Sequence, residues 1–155
     1  MTNEGVLAAI PFFAGLEAPV MTALAAGAEE VSVVAGELII EQGEAASDVY
    51  FLLEGSVEAL LRFEGVGDLF MGTREALGTL LGWTAFRPPY RYSDSVRSHR
   101  PSRLLRVPRS TFDTLFERDP EVAHELLRRV NVEVVQQLEL TRDLFDRPQA
   151  HGEEL

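Results

Sequence analysis

The stretch VSVVAGELIIEQGEAASDVYFLLEGSVEALL, Val31 to Leu61, carries the information that decides the fold. Short runs of Val, Leu, Ile and Phe are broken by Gly36, Gly43 and Gly55, and the same texture continues through Gly65, Gly67, Gly72 and Gly78 to Gly82. Short apolar runs separated by regular turn signals specify a β-sandwich or barrel. Gly36-Glu37, Gly43-Glu44 and Gly55-Ser56 are expected where the chain reverses, because glycine accepts the positive φ that tight turns require. A second strand region, Tyr92 to Val107, is expected after the break at Pro88-Pro89.

Helices are expected on both sides of these strands. Upstream, Leu7, Ile10, Phe12 and Phe13 form an apolar patch, and Ala18-Pro19 opens a run in which Val20, Leu24 and Ala28 recur at helical spacing. Two short helices flanking a turn at Gly15 follow. Downstream, Pro108 to Arg118 reads as a short helix carrying Phe112, Leu115 and Phe116. Asp119-Pro120-Glu121 then supplies a capping side chain, a first-turn proline and an acid at the positive end of the helix dipole. The helix it starts is expected to reach Phe145, with Leu126, Val130, Val134, Leu138, Thr141 and Phe145 on one face. At 1.5 Å per residue such a helix spans roughly 39 Å, more than a small barrel covers.

Read together, these segments resemble the cyclic nucleotide-binding domains of bacterial regulators. IPFFAGLEAPVMTALAAGAEE, the Val31 to Leu61 stretch, ALGTLLGW and RLLRVPRSTFDTLFERDPEVAHELL occur in that family's order over roughly residues 7 to 145. The resemblance implies a mainly β fold, a jelly-roll β-barrel with flanking helices. The expected layout is one domain over 1–155, with N-terminal helices over 5–29, the barrel over 31–107, C-terminal helices over 109–145 and a disordered tail over 148–155. It also implies a phosphate-binding cassette at GWTAFRPPYRYSDSV, Gly82 to Val96. There Gly82, Trp83, Thr84, Ala85, Arg91, Tyr92 and Ser93 are the candidate ligand-binding residues, with backbone N–H groups and Arg91 as the donors to a cyclic phosphate. The variant GW with PPYRY resembles a subgroup of small stand-alone bacterial proteins of this fold.

Two departures from the family pattern bear on the ligand. Trp83 stands where the family has a glutamate, and an indole N–H donates but cannot accept from a ribose hydroxyl. Pro88-Pro89 removes two N–H donors from the loop. Trp83 either stacks a base or plugs the pocket, and Arg91 is either a ligand or a structural arginine tied to an acid.

Composition narrows the function classes. The 155 residues, 46% of them hydrophobic, fit one globular core. Cysteine is absent, which excludes disulfides and thiolate chemistry. Lysine is also absent, which excludes Schiff-base catalysis. His99, His124 and His151 lack the paired spacing of metal ligands. No apolar run has membrane-spanning length and the N-terminus lacks a signal-peptide pattern, so a cytoplasmic protein away from the membrane is expected. The formal charge of −11 argues against direct nucleic-acid binding.

Against that charge, Phe86 to Arg109 holds seven arginines and one acid, Asp94. Such a stripe serves a small anionic ligand or pairs with acids elsewhere on the surface. The expected function is a non-catalytic sensor of a cyclic nucleotide or related anion, with no other cofactor. It signals through the 120–145 helix, as a homodimer, to an effector protein not identified by sequence. The alternative is a domain with a closed pocket that serves only protein interaction; a catalytic jelly roll is the remote third reading.

Overall fold

A computed structural model of the chain describes residues 2–146. Four α-helices (α1 Asn3–Ala8, α2 Ala18–Gly27, α3 Arg109–Arg118, α4 Pro120–Asp146) flank six strands: β1 Glu29–Val33, β2 Leu38–Ile40, β3 Asp48–Phe63, β4 Gly67–Arg74, β5 Leu80–Leu81 and β6 Ser95–Pro108. Single 3-10 turns occupy Pro11–Phe13 and Trp83–Phe86. The tail expected over 148–155, and His151 with it, lies outside the described residues.

The sheet is antiparallel throughout and runs β1-β6-β3-β4, with β2 on β6 and β5 on β3. This is the jelly-roll arrangement. No ladder joins β4 back to β1 among the described residues, so the roll stays open along that side. Its spine is the pairing of β3 with β6, from Asp48 opposite Pro108 to Leu60 opposite Ser95, interrupted by register shifts between Leu52 and Val57.

Two sequence expectations are corrected here. Gly55-Ser56 does not reverse the chain but lies within β3, at the register breaks, where a Cβ on Gly55 would stand 2.7 Å from the Ser102 Cα. Bulges rather than turns explain a glycine inside a long strand. The second strand region starts at Ser95, not Tyr92. Arg91 and Tyr92 are instead held by the β2–β3 connection.

Alternating side chains of β3 place Val49, Phe51 and Val57 in the core, which the N-terminal apolar patch closes at one end. Phe12 and Phe13 pack on Phe51 with ring centroids 5.3 and 4.8 Å apart. Phe86, Phe112 and Phe116 join the Trp83–Phe86 turn to α3. Asp119 caps α4, its carboxylate accepting from the Val122 N–H at 3.2 Å. Leu126 and Val130 are buried, so the first half of α4 is part of the core. Its second half crosses β4 and β5: Gln137 Nε2 donates to the Leu80 carbonyl (2.6 Å) and the Thr141 hydroxyl to the Met71 carbonyl (3.2 Å).

Candidate functional site

The site is built on the link between β5 and β6. Gly82 leaves β5 in the left-handed region (φ 82°, ψ 33°) and opens the 3-10 turn. Thr84 and Ala85 are buried beneath that turn. The chain then returns along the β2–β3 connection. Ala46 N–H donates to the Tyr90 carbonyl (2.7 Å), Tyr92 N–H to the Glu44 carbonyl (3.0 Å) and Gly43 N–H to the Tyr92 carbonyl (2.9 Å). Tyr92 is buried, its hydroxyl donating to the Asp48 carbonyl at 2.7 Å, and burial pushes its pKa up to about 12. These bonds fix the loop without any ligand contact.

Between this loop, β3, β4 and α4 lies a cavity of about 370 Å³. Trp83, Ser93 and Asp94 supply the wall from the β5–β6 link, Ala59, Leu61, Met71 and Arg74 the strand wall, and Val134, Gln137, Leu138 and Thr141 the helical roof. Behind Trp83 an inner compartment of about 10 Å³ reaches Gly82 and Val96, room for about one water. Trp83 therefore fills the deep end and leaves the outer space open. A larger groove of about 440 Å³ on the far side of Arg74 contains no cassette residue.

Of the sequence-derived candidates, Trp83 and Ser93 line the cavity and Gly82 the inner compartment; Thr84, Ala85 and Tyr92 support the loop from within. Arg91 is exposed and is not among the lining residues: its Nη1 donates to the Gly43 carbonyl at 2.9 Å. The cation that does line the cavity is Arg74, only 6% exposed. Nη1 donates to the carbonyls of Met71 (3.4 Å) and Thr73 (3.1 Å), and Nη2 to the Thr141 hydroxyl (3.1 Å), while its buried Nε has no partner. Burial lowers the Arg74 pKa, and Asp94 opposes that shift. The Asp94 pKa is raised by burial, against the Ser93 hydroxyl bond and the Arg74 charge.

Sequence reading did not single out Arg74, Gln137 and Thr141 for this cavity and noted Asp94 only as the one acid of the basic stretch. One local signal was present, since Gly72 and Arg74 are two apart in a strand and so share a face. Gly72 leaves the space the guanidinium needs: a Cβ there would stand 2.8 Å from Arg74 Nη1. The rest depends on where α4 lies, which no local pattern fixes.

The arginine stripe divides between paired and loop positions. On β6, Arg97 pairs with Glu58 (3.4 Å), Arg100 with Glu75 (3.6 Å), Arg103 with Glu30 (3.1 Å) and Arg106 with Glu29. Arg109 pairs with Asp113 (3.4 Å) and stacks 4.4 Å from the Tyr90 ring centroid. Exposed pairs of this kind contribute about 0 to 1 kcal/mol each, and their role is to balance charge along the strand. Among the described residues there is no group of three or more His, Asp or Glu able to hold a metal ion, and no helix long and apolar enough to cross a membrane.

The sequence profile of the cyclic nucleotide-binding domain matches residues 30–119, more than half of the chain. The chain belongs to the cyclic nucleotide-binding domain family. Solved structures agree on the fold of this domain. A candidate cyclic nucleotide-binding protein from Geobacter metallireducens GS-15 is 25% identical with a TM-score of 0.74, over 89% of this chain and 98% of that one. The catabolite activator protein of Thermus thermophilus is 23% identical with a TM-score of 0.67, over 88% of this chain and 63% of that one. The sensor domain of the transcriptional regulator DNR from Pseudomonas aeruginosa is 19% identical with a TM-score of 0.69, over 86% and 94%. No curated protein matches the chain.

Proposed function

We propose that this domain is a non-catalytic, cytoplasmic regulatory sensor. It takes a small ligand of the cyclic nucleotide class, or a related anion, between the cassette and α4, and it signals through α4 to a partner protein. The observation that carries this reading is that one cavity is walled both by Trp83, Ser93 and Asp94 and by Val134, Gln137, Leu138 and Thr141. A molecule entering it must touch the cassette and the helix together. Ligand occupancy is thereby coupled to the position of the helix, since a ligand shifts an equilibrium through contacts that differ between two states. The alternative of a fully closed pocket is disfavoured by the open outer compartment, although Trp83 does fill the inner one.

Cyclic AMP is expected to bind weakly. With Trp83 in place of an acceptor, its ribose hydroxyl goes unpaired, which costs about 1 to 3 kcal/mol or roughly 5- to 150-fold in affinity. The test is calorimetry of the purified protein against a panel of cyclic mono- and dinucleotides, with hydrogen exchange of α4 recorded for each. A binder that changes exchange over residues 134–141 supports the reading. A panel without any binder, leaving α4 unchanged, overturns it in favour of an interaction module.

A further inference from the structure

Arg74 and Asp94 bring a guanidinium and a lightly used acceptor to the wall of the same open cavity. The Arg74 guanidinium is buried, three of its bonds go to Met71, Thr73 and Thr141, and its Nε is left without an acceptor. Buried polar groups in native proteins are nearly always paired, so the guanidinium keeps hydrogen-bonding capacity that its protein partners do not use. Asp94 lines both compartments beside Arg74, yet among the described residues it has no cation within ion-pair distance and accepts only from the Ser93 hydroxyl. The aromatic face available in the same cavity is Trp83.

These groups restrict the ligand chemistry. A phosphate beside Arg74 offers acceptors alone and leaves the Asp94 carboxylate without a donor; a simple cation would be repelled by Arg74. A flat ring that carries acceptors and ring N–H donors on neighbouring edges satisfies both. Guanine has this pattern: O6 and N7 accept from an arginine, and N1–H with the 2-amino group donates to a carboxylate. Adenine lacks the N1–H and turns a lone pair toward the acid at that position.

We infer that the cavity selects a guanine-type base, stacked on Trp83, with Arg74 donating to its carbonyl edge and Asp94 accepting from its N–H edge. This inference rests on the sensor reading above, because it needs the same cavity to admit a ligand. Neither Arg74 nor Asp94 is among the candidate ligand residues of the cassette.

Trp83 is the chain's only tryptophan, so its emission reports on the cavity itself. The experiment titrates the full chain with cyclic GMP, cyclic IMP and cyclic AMP, following that emission. Cyclic GMP is expected to bind about tenfold or more tighter than cyclic AMP, and cyclic IMP, which lacks the 2-amino group, falls between them. Asp94→Asn brings cyclic GMP and cyclic AMP to within about threefold of each other, and Arg74→Met lowers cyclic GMP affinity about tenfold or more. Arg74→Lys, which keeps the charge but loses the planar fork, gives the same loss and serves if Arg74→Met does not fold. Equal affinities, a preference for cyclic AMP, or a guanine preference that survives Asp94→Asn overturns the inference. Cyclic AMP binding without guanine preference would leave the sensor reading standing, whereas silence of Trp83 toward all three nucleotides would remove support for both.

Discussion

Gly72 and Arg74 act as a unit on β4. The missing side chain of one makes room for the guanidinium of the other, and Gly72 holds a φ of 108° that other residues rarely adopt. Gly72→Ala is therefore expected to lower stability by about 1 to 3 kcal/mol, the cost of backbone strain at such a position. A denaturant midpoint unchanged from the parent would contradict it. Asp94 offers a second test, through pH. Because burial raises its folded-state pKa, the ionised form disfavours the fold, and the penalty is present above the folded pKa and relieved as pH falls below the unfolded one. Asp94→Asn is expected to raise the thermal midpoint at neutral pH, with the gain vanishing below the ordinary carboxylate range. A gain that persists in acid would show that the carboxylate charge is not its source. The turn at Gly82 was legible because glycine marks it locally, whereas Arg74 reaches the cavity only through strand pairing and the path of a distant helix.

Among the elements, α4 was read correctly at its start and in its length, and less well in its destination. Asp119, Pro120 and Glu121 mark the first turn by local chemistry alone, and the cap bond to Val122 follows from them. Thr141, expected on the continuous apolar face, and Gln137 both turn toward the roll and bond Leu80, Met71 and Arg74. Helical periodicity fixes which residues share a face but not what that face meets. The consequence is testable at Thr141, which joins the distal helix to β4. Thr141→Val leaves Arg74 Nη2 without its acceptor and removes one of the two side-chain donors to the Met71 carbonyl, a local cost of about 1 to 3 kcal/mol. Amide exchange over residues 137–146 should accelerate while α3, packed through Phe112 and Leu115, keeps its protection. Unaltered exchange in the distal helix would mean that this bond does not hold the roof in place.

For the whole molecule, the question is how the rest of α4 is covered. With Leu126 and Val130 in the core and Val134 packed against it, Leu127 (39% exposed), Leu138 (55%) and Phe145 (46%) are left along the neighbouring side of the helix. Positions 127, 138 and 145 are separated by three and two helical turns and so align in one stripe. Val132, Val135 and Leu140 are exposed on other sides of the helix, but only this stripe continues the face that packs on the roll; such a stripe marks an interaction surface, and two copies packed along it would remove it from water. Covering its own roll and pairing with a second copy are thus compatible uses of different sides of one helix. Ligand-driven movement of the roof would then also move the paired helices. Val134 lines the cavity beneath α4, so its substitution would confound any effect on binding with an effect on assembly. Leu138 also touches that cavity but is mostly exposed, and Phe145 is outside its lining. Phe145→Glu is therefore the cleaner probe, with Leu138→Glu as the stronger one. Light scattering is expected to give twice the 17.2 kDa chain mass for the parent and the single-chain mass for both variants, since each would place like charges beside their symmetry mates. A parent that already runs as a single chain at micromolar concentration would show that the stripe is not a surface for self-association.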